Sequence, residues 1–176
     1  EWAQPIGNGP TRVGFDYYYG IAASLDMPPF VFIKNDRVTA IPTTEKKWLR
    51  SGPAAADFEA ADVMPVLTRK AASWIEQRAA ERKPFFLYLA YSAPHTPILP
   101  TKEWQGKSGL NAYADFVMQT DAAVGELLVV LQRLALATNT LVIFTSDNGC
   151  SPAAEFGELK AKGHHPAGPW RGHKAD

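Results

Sequence analysis

Apolar residues recur three or four apart between Ala61 and Arg82, at Val63, Val66, Leu67, Ala71, Trp74, Ile75 and Ala79. That spacing collects them on one face and predicts a helix. Asp57 or Asp62 is available near its start, and Pro65 is tolerable because the first turn has no internal partner for the missing N–H. Lys83-Pro84 breaks the helix. The run Phe85 to Tyr91 then reads as an aromatic-rich strand buried on both faces. A loop from Ser92 to Gly109 leads to a second helical stripe from about Ala112 to Ala135, carried by Tyr113, Phe116, Val117, Thr120, Val124, Leu127, Leu128, Leu131 and Leu134. Thr138-Asn139 is expected to close it, and Thr140 to Ser146 reads as a strand rich in β-branched residues.

Before residue 52, glycines, prolines and aromatics follow no sustained period, and only Pro29 to Ile33 reads as a short strand. Everything beyond Asn148 reads as polar, glycine-bearing loop. The order helix, strand, helix, strand with short joints predicts an α/β fold, mainly a parallel sheet flanked by helices. In such sheets ligands sit outside the carboxyl ends of the strands, which singles out the loops after Tyr91 and after Ser146.

Composition narrows the partners more than the fold. The 176 residues hold 46% apolar side chains and equal numbers of basic and acidic ones, 18 of each. One core is affordable, disorder is not expected, and no net field exists to draw in nucleic acid or an anionic membrane surface. The longest apolar runs are too short to cross a bilayer. The chain opens at Glu1 without an initiator Met and ends at Asp176 inside a polar run, so a segment of a longer domain is expected.

Three short motifs could carry chemistry. Asp147-Asn148-Gly149 offers a carboxylate and an amide oxygen side by side, hard donors suited to Ca²⁺ or Mg²⁺. The same residues also suit a plain turn after a strand. His95 stands between Pro94 and Pro97, a stiff mount for an imidazole at the end of the other strand, or a rigid turn and no more. Trp170-Arg171-Gly172-His173-Lys174 gathers cationic side chains fit for a tetrahedral anion, or a solvated basic loop. The vicinal His164-His165 pair makes a poor metal site, since neighbouring side chains seldom converge on one ion. Asp115, Asp121 and Glu126 are expected on a solvated helical face. Cys150 reads as a small residue near the strand end.

In this order, Ala93-Pro-His-Thr-Pro97, Asp121-Ala-Ala-Val-Gly125, Leu141-Val-Ile-Phe-Thr-Ser-Asp-Asn-Gly149 and Arg171-Gly-His-Lys174 resemble the arylsulfatase-type, formylglycine-dependent sulfatases. Gly14-Phe-Asp-Tyr-Tyr-Tyr-Gly20 is similar to the segment that follows the active-site Lys and His motif of that family. The resemblance covers nearly the whole chain. It implies an alkaline-phosphatase-like α/β fold, residues 1–176 forming part of one catalytic domain, and sulfuric ester hydrolysis. It also implies Ca²⁺, with Mg²⁺ as the alternative, at Asp147 and Asn148. His95 would contact the sulfate and the leaving oxygen, and Lys174 would grip a sulfate oxygen. A sulfate ester would be the substrate, in a periplasmic or secreted protein.

One departure matters. The family's nucleophile is a formylglycine made from Cys or Ser in a Cys/Ser-x-Pro/Ala-x-Arg segment near the N-terminus, and these residues contain no such segment. Cys150-Ser-Pro-Ala-Ala154 imitates it but has Ala where Arg is required. The nucleophile, the paired aspartates and the first Lys and His of the sulfate pocket are therefore expected outside this chain, and the fragment alone is expected to be inactive. Phosphoester or phosphonate hydrolysis on the same fold is the competing reaction, and a non-catalytic α/β binding module is the competing class.

Overall fold

The computed structural model describes residues 2–174, which fall into two compact units, one up to Lys70 and one from Ala71 on. The first unit is built on short antiparallel pairings. Strands β1 (Tyr19–Gly20), β2 (Ile33–Lys34) and β3 (Arg37–Val38) lie in that order, and Asn35 takes the left-handed conformation (φ 56°) in the β2–β3 turn. Strands β4 (Thr44–Trp48) and β5 (Arg50–Ala54) form a hairpin with Thr44 opposite Ala54 and Trp48 opposite Arg50.

The expected strand at Pro29 to Ile33 is only partly realised. Phe30 makes a parallel bridge to Ala54, its N–H donating to the Pro53 carbonyl at 2.8 Å. That bridge brings the hairpin so close that a Cβ on Gly52 would lie 2.3 Å from Pro28 Cβ, so glycine is required by contact rather than by dihedral angle. The core here is aromatic. Phe30 meets Trp48 edge-on at 4.9 Å, and Phe58 lies 5.3 Å from Phe32 and 5.7 Å from Trp48, separations that favour ring pairing beyond area burial. Lys46 Nζ donates to the carbonyls of Ala56 (3.0 Å) and Phe58 (2.6 Å), closing the rim of that cluster.

Helix α1 (Val63–Glu81) buries Val63, Met64, Leu67, Ala71 and Ile75, the stripe its periodicity predicts. Helix α2 (Ala112–Arg133) starts at Asn111, whose side-chain oxygen accepts from Ala114 N at 3.0 Å. It ends sooner than expected, because Ala135 adopts φ 56° and a separate 3₁₀ turn, Ala137–Asn139, follows. The Arg133 guanidinium pairs with Glu76, and Trp74 meets Phe85 edge-on at 5.4 Å.

Two expectations are corrected at this level. The stretch beyond Asn148 is not all loop: a 3₁₀ turn (Pro152–Ala154) and helix α3 (Phe156–Ala161) bury Ala154 and Leu159 against Ala114, with Leu110, Tyr113, Cys150 and Phe156 around them. The residues 85–91 and 140–146 are not buried strands of a parallel sheet. Among the described residues neither run enters a sheet pairing, and every described strand pairing is antiparallel. Phe86 is 73% exposed, Leu141 86% and Ile143 77%, because no neighbouring strand covers these runs. Their β-branched and aromatic composition suits a sheet, and composition cannot report whether the partner strand belongs to the same polypeptide segment.

Candidate metal and anion site

Residues 140–146 lead directly into the exposed turn that carries Asp147 and Asn148, where Ser146 Oγ donates to the Asn148 carbonyl at 2.7 Å. The next residue leaves a side chain only a tight fit. A Cβ on Gly149 would stand 3.0 Å from the Gly172 carbonyl oxygen and 3.2 Å from His173 Cα. Immediately beyond, Lys174 N donates to the Cys150 carbonyl at 3.0 Å. Two of the three candidate motifs are thus joined backbone to backbone, Gly149 against Gly172 and His173 and Cys150 against Lys174.

The junction is anchored from α2. Asn111 Nδ2 donates to the Ala154 carbonyl at 3.0 Å while its oxygen caps the helix. Ala154 and Leu159 pack on Ala114, and Phe156 from the same cluster lies 4.3 Å, ring to ring, from His173. One asparagine therefore sets both the helix start and the carbonyl that leads into the junction. Burial pushes the Cys150 thiol above its ordinary value, which keeps it protonated and weakly nucleophilic at neutral pH.

His95 occupies a separate turn, exposed, with cis peptide bonds at Ala93-Pro94 and Thr96-Pro97 on either side. Its N–H donates to the Ser92 carbonyl at 3.0 Å, and Nδ1 lies 2.7 Å from the Thr96 carbonyl. With Nδ1–H donating there, the neutral ring carries its lone pair on Nε2, the tautomer required of a group that takes up a proton at that atom and returns it.

The loop between this turn and α2 is clamped by side chains that the periodicity alone assigns to solvent. Asp115 is 4% exposed, not on a solvated face. Its carboxylate accepts from Gly106 N at 2.7 Å and Ser108 N at 2.8 Å. Burial pushes the carboxyl up, but the bonds from the Ser108 side chain and N–H and from Gly106 N outweigh it and hold it below the ordinary range. One turn on, Gln119 accepts from Thr101 N at 2.9 Å. The available signal was the spacing: Asp115 and Gln119 sit four apart, interleaved with the buried Phe116 and Thr120. Asp121 and Glu126 are exposed, as expected.

As a cation site, the Asp147-Asn148 turn has the right chemistry and too few donors. A carboxylate and an amide oxygen suit Ca²⁺ or Mg²⁺, but Ca²⁺ takes about six to eight oxygens. No group of three or more His, Cys, Asp or Glu side chains able to hold a metal occurs among the described residues, and His164-His165 forms none. The pair can furnish one side of a cation cage.

Comparison with known proteins matches this arrangement to one family. The sulfatase family model matches residues 4–174. The chain is 31% identical to an N-acetylgalactosamine-6-O-sulfatase of Bacteroides thetaiotaomicron, over 92% of this chain and 40% of that protein. It is 32% identical to the human N-acetylgalactosamine-6-sulfatase, over 81% of this chain and 27% of that protein. A solved structure from work on glycosaminoglycan metabolism by Bacteroides thetaiotaomicron superposes with a TM-score of 0.80 at 27% identity, covering 98% of this chain and 45% of the other. The structure of Ps i-CgsB in complex with a neocarrahexaose, at TM-score 0.61 and 24% identity over 83% of this chain and 35% of the other, shows likeness of fold alone. These sulfatase neighbours carry the alkaline-phosphatase-like fold. The chain spans less than half the length of these relatives. From residue 4 to residue 174, this chain belongs to the sulfatase family.

Proposed function

We propose that the protein containing this chain hydrolyses the sulfate ester of a sulfated sugar, and that residues 1–176 form part of its single catalytic domain. The backbone junction of Gly149 with Gly172 and His173 supports this reading, because it brings the backbone at Lys174 close to the residues that follow Asp147 and Asn148. Asp147 and Asn148 hold Ca²⁺, or Mg²⁺ in its place, together with donors from outside these residues. Such an ion supplies positive charge against the sulfate oxygens, where charge builds as the ester bond breaks. Lys174 grips a sulfate oxygen by a charge-assisted hydrogen bond. His95 contacts the sulfate and gives a proton to the leaving oxygen. The formylglycine nucleophile lies in polypeptide outside these residues, so the segment alone does not turn over.

Residues 85–91 and 140–146 are, on this reading, strands of a parallel sheet completed by that same polypeptide. Their exposed apolar side chains support it. Among the described residues no helix is long and apolar enough to cross a membrane; the compartment proposed is the periplasm or the exterior. The names of the two N-acetylgalactosamine-6-sulfatase relatives make N-acetylgalactosamine 6-sulfate the first substrate to try.

Steady-state sulfate release by the complete protein and its His95→Ala variant tests the assignment. The variant is expected to lose about a hundredfold or more in kcat with little change in KM, since general-acid help contributes roughly 10²–10⁴-fold. An unchanged kcat would remove His95 from the chemistry.

A further inference from the structure

Two contacts fix the peptide unit between His173 and Lys174 from either end. Lys174 N donates to the Cys150 carbonyl at 3.0 Å, and the His173 ring lies 4.3 Å, centroid to centroid, from the Phe156 ring at an interplanar angle of 33°. A single hydrogen bond leaves its donor free to turn about the bond axis. A ring contact one residue away, off that axis, removes the rotation, because the peptide between the two is planar. The Cα of Lys174, and the direction in which its side chain leaves the backbone, are then set. The chain just before gives little support of its own: Arg171 and Gly172 are exposed, and Gly172 takes φ 100°, open to glycine and costly for other residues.

Phe156 can serve as a fixed point because it is itself held. It packs against Ala114, Ala154 and Leu159, the last two wholly shielded from solvent. Asn111 Nδ2 fastens the turn that leads to it by donating to the Ala154 carbonyl at 3.0 Å. Lys162, just past the end of α3, donates to the Leu110 carbonyl beside the α2 cap. Helix α3 is thus tied at both ends to the start of α2. A leucine or methionine at position 156 could fill the same cluster but would offer His173 no flat face. The Lys174 ammonium rides on a flexible four-carbon stem, so the placement of its Cα decides what it can reach. Holding that Cα in advance removes part of the ordering cost of binding an anion.

We propose that Phe156 is a positioning residue for the anion grip of Lys174, acting through its ring contact with His173. The proposal rests on the sulfate-binding role given to Lys174 above. Calorimetric titration of the complete protein with inorganic sulfate, Ca²⁺ present throughout, reads that grip without turnover. Phe156→Leu and Phe156→Met are expected to weaken sulfate binding about threefold to tenfold, the range of one aromatic pair. Phe156→Tyr keeps the ring and is expected to bind as the parent does. In the Lys174→Ala background Phe156→Leu should weaken binding no further, since a positioning residue acts only through the group it positions. Circular dichroism melts identify a variant that has lost its fold, and Phe156→Met, which fills the cluster with a pliable side chain, then stands in for Phe156→Leu. Where Lys174→Ala alone weakens binding, three results overturn the positioning role and leave the grip in place. These are parental binding by Phe156→Leu and Phe156→Met, the same loss with Lys174→Ala as without it, and weakened binding by Phe156→Tyr. A parent that binds no sulfate, or a Lys174→Ala variant that binds it as the parent does, removes the grip and the positioning role with it.

Discussion

Asp115 and Gly149 show how much a single residue can decide here. Asp115 is an ionised carboxylate taken out of water and satisfied by two backbone N–H groups of the loop that leads back toward His95. Its pKa is lower in the folded chain than the ordinary value of 3.8. A carboxyl so depressed contributes stability that is fully present above its unfolded pKa and is lost as pH falls through the folded value. Acid unfolding followed by circular dichroism should therefore show Asp115→Asn less stable than the parent by about 1–3 kcal/mol at neutral pH, with the gap closing below about pH 3.8. A gap that persists into acid would mean the carboxylate charge is not what holds the loop. Gly149 fails in another way. A methyl group there meets a carbonyl oxygen and a Cα at 3.0 and 3.2 Å, so Gly149→Ala should part residues 149–150 from 172–174. Turnover is expected to fall at least tenfold while the melting temperature moves by only a few degrees, since the junction lies at the surface. Unaltered turnover would show that the close approach does not position Lys174. Neither residue was legible alone: an Asp on a helix defaults to solvent, and a Gly after Asp-Asn defaults to a turn.

At the scale of elements, period decided what could be read. The stripes of α1 and α2 announced both helices to within a few residues, whereas the Asn111 cap, whose side chain bonds Ala114 N, was not read from the sequence. The β4–β5 hairpin escaped because Thr44-Glu45-Lys46-Lys47 shows no alternation and Pro53 sits inside β5, a position that usually argues against a strand. Its pairing depends instead on Phe30 crossing beside Ala54 and on Gly52 lying against Pro28. Gly52→Ala would drive a methyl group into a proline ring with no flexible side chain to yield. Thermal unfolding should register a loss of about 1–3 kcal/mol, the usual cost of overpacking. An unchanged melting temperature would mean that the hairpin shifts without penalty. Helix α3 was missed for want of length, its Phe156–Ala161 span being too short for a period to declare itself.

Across the whole chain, the order of motifs carried more than any one of them. Asp147-Asn148 alone suits a turn, His95 alone a rigid bend, and Lys174 alone a basic loop. Their sequence along the chain is that of a sulfatase, and the family model covers the same stretch, residues 4–174. The expected parallel sheet rested on composition alone: residues 85–91 and 140–146 have the side chains of buried strands yet pair with no strand among the described residues and expose Phe86, Leu141 and Ile143. The proposed chemistry requires Asp147 to hold the cation on which sulfate release depends. Sulfate liberated from N-acetylgalactosamine 6-sulfate by the complete protein, compared with its Asp147→Ala variant in the presence and absence of added Ca²⁺, tests this requirement. Release by the parent should be abolished by a chelator and restored by Ca²⁺, with no restoration in the variant. Calcium-restored release by Asp147→Ala at the parental rate would contradict it.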